Sequence, residues 1–305
     1  MLTADGSVMT ATPKYSLCEL AFPDTTIEED IEIAVASGAT GLSIDESKLG
    51  DRSPADVAAA LDAAGLRAAA CIPAVMSFLP GEQINGPDSV AERVALMCEG
   101  VRRLAELQPT SILCLTGPAG SFPAAEARRR AAEALHEVAA AADSAGVPLS
   151  FESFRYSDPQ NYSIIFGLED AVAFLAEAGR PDVPLCYDIW HLWDSSPRIL
   201  ELTRELAPRI NVVQLNDYRE PTRSWNDRVL PGDGVVNLPA IIAALREGGF
   251  GSWFDLEVFS DDGRWGQDFP DSVWKLPWQE QARRGHEGLM RAWRASAELL
   301  PGREV

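Results

Sequence analysis

The chain has 305 residues and a mass of 33.0 kDa, with 46% hydrophobic residues, enough to build one large core in a single domain. A formal charge of -20 and a pI near 4.5 exclude a surface built to neutralise phosphates, so nucleic acid is not an expected partner. Cys18, Cys71, Cys98, Cys114 and Cys186 show no metal-binding or redox spacing and read as reduced core residues. Without a basic-then-apolar leader or a run of about 18 apolar residues, the expectations are a cytoplasmic location and no membrane partner.

Residues 1–14 read as a disordered leader, and 15–305 as one domain. From Tyr15 onward, apolar runs alternate with helix-period segments. The expected pairs are strand Ser16–Leu20 with helix Thr26–Ser37, Gly41–Asp45 with Pro54–Ala64, Arg67–Cys71 with Ser89–Glu106, and Ser111–Leu115 with Pro123–Ala145. There follow Pro148–Glu152 with Leu168–Glu177, Pro184–Asp188 with Pro197–Leu206, Asn211–Leu215 with Leu238–Glu247, and Ser252–Val258 with Gln279–Leu299. Gly38, Gly65, Gly146 and Gly248 stand where helices would close on a left-handed cap. Eight strand-helix pairs with near-continuous apolar strands predict an α/β fold, a (β/α)8 TIM barrel. The longest irregular piece is Ser260–Trp278.

Chemistry in such barrels sits at the C-terminal ends of the strands. In the second half of the chain, four of the expected strands deliver an oxygen-bearing side chain at or next to their last residue: Glu152, Asp188, Gln214 and Glu257, spaced 36, 26 and 43 residues apart. Three carboxylates and a carboxamide beside Leu, Val and Phe call for compensation, which a divalent metal would supply. An all-oxygen set suits Mn²⁺ first, with Mg²⁺ or Co²⁺ as alternatives. Such an ion can chelate a hydroxy-ketone and stabilise the enediolate left when a proton departs. Glu152 and Glu257, three strands apart, would remove and return that proton.

The ordered series Glu152, Asp188-Ile-Trp-His191, Val-Val-Gln214-Leu-Asn-Asp, Arg228-Val-Leu-Pro-Gly-Asp-Gly234 and Asp-Leu-Glu257 resembles the xylose-isomerase-like barrel superfamily. Its sugar phosphate isomerase/epimerase group is the nearest match, with ketose 3-epimerases, hydroxypyruvate isomerase and inosose dehydratase as relatives. The resemblance implies metal ligands at Glu152, Asp188, Gln214 and Glu257, with Gln214 standing where the group more often has His. It also implies substrate-binding roles for His191 and Arg228. Trp190 and Glu46 are further substrate-binding candidates, although a solvated loop carboxylate is the better account of Glu46. His136 and His286 fall in expected helices and read as outer-surface residues.

Phe22, Phe154, Tyr156, Trp190, Trp193, Trp225, Trp265, Trp274 and Trp278 gather near the expected mouth, where rings can stack on sugar faces or pack the last loop. The short Ser153 and Ser157 and the acidic Asp158 offer little basic charge for a phosphate, which favours a non-phosphorylated substrate. The leading expectation is therefore a metal-dependent isomerase or epimerase of a ketose or keto-polyol. The alternative is a lyase or dehydratase using the same enolate chemistry with β-elimination, as in relatives acting on inosose, 3-dehydroshikimate or a 3-keto glycoside. The abasic-site endonucleases share the barrel, but three His in all and the acidic charge disfavour them. A small carbohydrate is the expected partner, in a homo-oligomer (dimer or tetramer) or a hetero-oligomer.

Overall fold

The computed structural model describes residues 12–156 and 162–301. Eight parallel strands close into a barrel: β1 (Lys14–Cys18), β2 (Gly41–Asp45), β3 (Arg67–Ile72), β4 (Ser111–Cys114), β5 (Leu149–Glu152), β6 (Leu185–Asp188), β7 (Ile210–Leu215) and β8 (Trp253–Leu256). They neighbour one another in chain order, and β8 returns to β1 with Lys14 opposite Trp253 and Leu17 opposite Leu256. Each expected helix forms, with ends within three residues of the expected positions. Most of the expected leader, residues 1–11, lies outside the described residues, and Lys14 already belongs to β1.

Two layers of apolar packing hold the barrel. The larger lies between the strands and the surrounding helices, where Leu17, Ile44, Phe151, Tyr187, Val213 and Phe254 are fully buried. A smaller one plugs the barrel interior with Cys18, Ala70, Ile72, Leu113, Cys186 and Val212. Side chains alternate across a strand, so the inward set that includes Val212 also carries Gln214 and, just past the strand, Asn216. The same alternation places Glu257 inward two residues beyond Asp255, and Asp188 two beyond Cys186. The plug is thus the floor beneath the polar groups. All five cysteines are buried and free, as composition led us to expect.

The structure corrects some boundaries and one cap. Leu20 is not in β1 but in a 3-10 turn, Glu19–Ala21, where the chain bends over the barrel rim. The last strand stops at Leu256, two residues short of the expected end. Gly38, Gly65 and Gly146 do adopt left-handed backbone, at φ of 80°, 74° and 71°. Gly248 does not: its φ is -76°, and Gly249, at 88°, makes the reversal instead. Gly248 is small for another reason, since a Cβ there would come within 2.2 Å of the Arg204 carbonyl oxygen. Among the described residues no helix is long and apolar enough to cross a membrane.

Candidate active site

The strand ends deliver Glu152 from β5, Asp188 from β6, Gln214 from β7 and Glu257 just beyond β8 to one end of the barrel, all buried. A cavity of about 280 Å³ opens over them, and Glu152, His191, Arg228 and Glu257 line it. Asp188 also caps the single-turn helix Ile189–Leu192 by accepting the Trp190 N–H at 2.8 Å. That turn carries His191 back over the floor. Its Nε2 lies 3.6 Å from Asp188 Oδ2 and 3.9 Å from Glu152 Oε1, and its Nδ1 accepts the Arg155 N–H at 3.4 Å.

Arg228 reaches the floor from a two-residue ribbon, Arg228–Val229, antiparallel to Asp217–Tyr218. The following Pro-Gly turn is clamped by the Asp217 carboxylate, which accepts N–H groups from Gly232 at 2.9 Å and Val236 at 3.0 Å. Gly234 packs so tightly there that a Cβ would fall 2.3 Å from Asp217 Oδ1. These contacts explain the Arg-x-x-Pro-Gly-x-Gly spacing. They hold the guanidinium where one nitrogen donates to both Asp188 Oδ2, at 2.9 Å, and Glu257 Oε2, at 3.0 Å.

Gln214 donates its amide N–H to Glu257 Oε1 at 2.8 Å and accepts from the Cys186 thiol at 3.3 Å. Asn216 donates to Asp188 Oδ1 at 2.8 Å and to the Glu257 carbonyl oxygen at 3.2 Å. Sequence reasoning missed Asn216, though its period-two spacing from Gln214 was a signal. It also missed Arg155, whose guanidinium bonds the Trp190 carbonyl oxygen and Asp194. Among the described residues no donor lies within hydrogen-bonding range of the Glu152 carboxyl, which faces the cavity.

Burial raises the proton affinity of Glu152 well above the ordinary carboxylate range, and the charges of Asp188 and Glu257 push it the same way. Glu257 is raised to about 8, chiefly by burial, with Arg228 opposing the shift. Burial drives His191 down to about 3, which leaves a neutral imidazole whose proton, with Nδ1 accepting, sits on Nε2. Burial disfavours the Arg228 cation, but Asp188, Glu257 and Glu152 outweigh it. The floor therefore sets three carboxyls against one guanidinium and a neutral histidine. That deficit of positive charge is what a divalent cation would correct, and ligand atoms of Glu152, Asp188 and His191 lie within 4.8 Å of one another. The donor set fits a metal.

Two expected substrate contacts fall elsewhere. Glu46 is committed to the Ala74 N–H at 2.9 Å and to Arg103 at 3.5 Å, and it is not among the cavity's lining residues. Its position at the start of the short helix Glu46–Leu49 turns it toward the loop after β3. Trp190 does not line the cavity either; it backs Arg228, whose guanidinium lies 5.4 Å from its ring centre. Of the aromatic residues expected at the mouth, Phe154, Trp225 and Trp265 line the cavity, joined there by Tyr162 and Phe259. Trp274 packs the last loop, donating to the Val258 carbonyl oxygen, Trp278 meets Phe22, and Tyr156 is 79% exposed. His136 is on the outer surface, while His286 is partly buried, stacked on Tyr15 and bonded to the Ser37 carbonyl oxygen. Ser153 is buried, and Ser157 and Asp158 lie outside the described residues.

A closed eight-strand barrel whose C-terminal mouth holds buried carboxyls defines a class of enzyme-bearing scaffold. The chain belongs to the xylose isomerase-like TIM barrel family, whose model matches residues 31–292. It is 28% identical over 137 residues to inosose isomerase of Bacillus velezensis, which is 44% of this chain and 48% of the relative, so the chain spans about half the length of the curated relatives it matches. Its fold is shared with L-ribulose 3-epimerase at a TM-score of 0.76 and 18% identity, over 96% of this chain and all of that one (100%). It is shared also with the IOLI protein, solved with a zinc atom bound, at 0.72 and 17% identity, over 95% and 100% of the two chains.

Proposed function

We propose that the chain is a divalent-metal-dependent isomerase or epimerase acting on a ketose or related keto-polyol by proton transfer. The observation that carries this reading is the convergence of buried Glu152, Asp188 and Glu257 under one cavity with Arg228 as the one arginine or lysine lining it among the described residues. Glu152, Asp188, Gln214 and Glu257 would hold the metal, Mn²⁺ first and Mg²⁺ or Co²⁺ as alternatives. Gln214 would present its oxygen after a half-turn of the carboxamide, which exchanges the two ends of a group of nearly equal shape. When bound, the ion supplies Lewis acidity to a carbonyl and its neighbouring hydroxyl.

The chain's own groups account for the remaining steps. Glu152, with no donor in hydrogen-bonding range among the described residues, takes the proton from the carbon beside the carbonyl, and Glu257 delivers one from another side of the sugar. Return to the same carbon inverts it, and return to the neighbour interconverts ketone and aldehyde, with no net oxidation in either case. His191 donates from Nε2 to a substrate hydroxyl, and Arg228 holds a further oxygen. Arg228 is the cavity's one basic side chain among its lining residues and is engaged by two carboxylates, which favours a substrate without phosphate.

Solvent exchange tests the reading: with Mn²⁺ and a panel of ketoses in D₂O, deuterium should enter the carbon beside the carbonyl, and Glu152→Gln should abolish its incorporation. No metal-dependent exchange with any sugar would overturn it. Release of an unsaturated ketone, seen by ultraviolet absorbance, would move the reading to a β-eliminating lyase.

A further inference from the structure

We propose that the substrate is a keto-sugar joined to a planar apolar group, such as an aryl glycoside that carries a ketone on its sugar ring, with its sugar on the carboxylate floor and its ring against Trp225, Trp265 and Phe259. The proposal rests on the sugar-chemistry reading of the floor and extends it to the outer half of the cavity. The two halves differ sharply in chemistry. Glu152, His191, Arg228 and Glu257 all come from the β5–β8 side of the mouth. From the β1, β3 and β4 side the cavity receives, among the described residues, Leu20, Met76, Leu113 and Leu115, with Gln83 and Asn85 on the loop after β3.

Above the floor stands a continuous wall of rings. Phe154 stacks on Tyr162 with centres 6.0 Å apart, and Tyr162 meets Trp225 at 5.5 Å. Trp225 in turn meets Trp265 at 5.1 Å and Phe259 at 5.9 Å. The Tyr162 hydroxyl is bonded to Gln83. Trp265 forms the outer lip and is 44% exposed, yet its loop is built to hold it: Asp261 accepts its N–H at 3.1 Å, and Arg264 beside it bonds Asp24 and Asp262. An indole held at a cavity mouth by its neighbours' hydrogen bonds is placed to meet something.

A free monosaccharide carries hydroxyls around its whole rim. Seated on the floor, it would turn several of them toward Leu20, Leu113, Leu115 and the ring wall, where each loses water and gains no partner. One aromatic ring suffices to stack a sugar face; this cavity offers a linked series. A planar apolar substituent satisfies that half by area burial and offset ring contacts, and leaves the hydroxyls to the floor.

The test compares binding of a sugar, its phenyl and naphthyl glycosides, and the corresponding phenols to the full-length protein by calorimetry, with glucose and galactose series run with and without Mn²⁺. At least one aryl glycoside should bind roughly tenfold or more tightly than both its free sugar and its phenol. In Trp225→Ala and Trp265→Ala, checked for folding by thermal melting, that ratio should collapse toward about one. Equal affinity for sugar and conjugate, no binding of any conjugate, or a ratio that survives both substitutions would each overturn the proposal. Conjugate binding with no deuterium exchange on any ketone-bearing sugar, free or conjugated, would sink only the isomerase reading, and exchange with free sugars at undiminished affinity would sink only this one.

Discussion

Glu19 shows how a single buried carboxyl away from the mouth sets a pH dependence. It sits in the turn after β1, fully buried, with one oxygen accepting the Asp45 N–H at 2.8 Å and the other without a hydrogen-bond donor among the described residues. Burial raises its proton affinity first, the nearby Asp30 raises it further, and Lys48, bonded to Asp30 at 2.6 Å, pulls it down. A carboxyl whose folded pKa exceeds its unfolded value near 4.5 holds a proton in the folded state that the unfolded chain has released. Stability is therefore greatest on the acid side of that window and falls as pH rises through it. Glu19→Gln keeps an acceptor for Asp45 and removes the buried charge. It should raise the melting temperature by roughly 2–4 °C near pH 8, with the gain fading toward about pH 4. A gain of equal size at both pH values, or none at the higher one, would contradict this account.

At the scale of elements, the loop after β3 depends on one side chain. Arg93, in the helix Val90–Ala105, is fully buried and donates to the Ser77 carbonyl oxygen and hydroxyl, the Asn85 carbonyl oxygen and the Pro87 carbonyl oxygen, at 2.7–3.0 Å. Through these bonds the helix pins the segment that brings Met76, Gln83 and Asn85 to the cavity. Arg93→Ala would leave three carbonyl oxygens without donors in a buried space, at a cost on the order of 3 kcal/mol. We expect a lowered melting temperature and new protease cleavage within residues 77–88, and Arg93→Lys should restore part of both. Wild-type resistance to proteolysis in Arg93→Ala would show that the loop holds itself. Nothing in the sequence marked Arg93: an arginine in the first turn of an amphipathic helix reads as surface until tertiary contacts reveal its carbonyl partners. Elements were legible because the strand and helix periods are strong and local. The four strand-end oxygens were legible too, since strand order places them together. What was not legible depends on which way a loop turns: Glu46 is drawn to Ala74, Trp190 lies behind Arg228, and Gln214 is held between Glu257 and Cys186.

For the molecule as a whole, the floor ties β1, β6 and β7 to Glu257 at the end of β8 within a closed barrel, so what happens at its carboxyls is felt in global stability. Glu257 is tied through Gln214, Asn216 and Arg228 to β6, β7 and the ribbon beyond it, while Cys18 of β1 reaches Glu257 from the other neighbour at 3.6 Å. Three carboxyls with one guanidinium are a strained arrangement of charge, and a divalent cation that binds only the folded state should relieve it. At a hundredfold excess over its dissociation constant such an ion adds about 2.7 kcal/mol, or roughly 5–10 °C in melting temperature, reversed by a chelator. Two donor sets compete for the role of holding it: the all-oxygen set with Gln214, and the set in which His191 joins Glu152 and Asp188. Metal-dependent melting separates them. With Gln214 as a ligand, Gln214→Ala loses most of the Mn²⁺-induced increment and His191→Gln keeps it. If His191 is the ligand the pattern reverses, and the preference should move toward Zn²⁺, because an imidazole nitrogen suits that ion better than a carboxamide oxygen does. No increment with Mn²⁺, Mg²⁺, Co²⁺ or Zn²⁺ in the unsubstituted protein would remove the metal from the proposed chemistry and leave Arg228 as the cation that the carboxyls were arranged around.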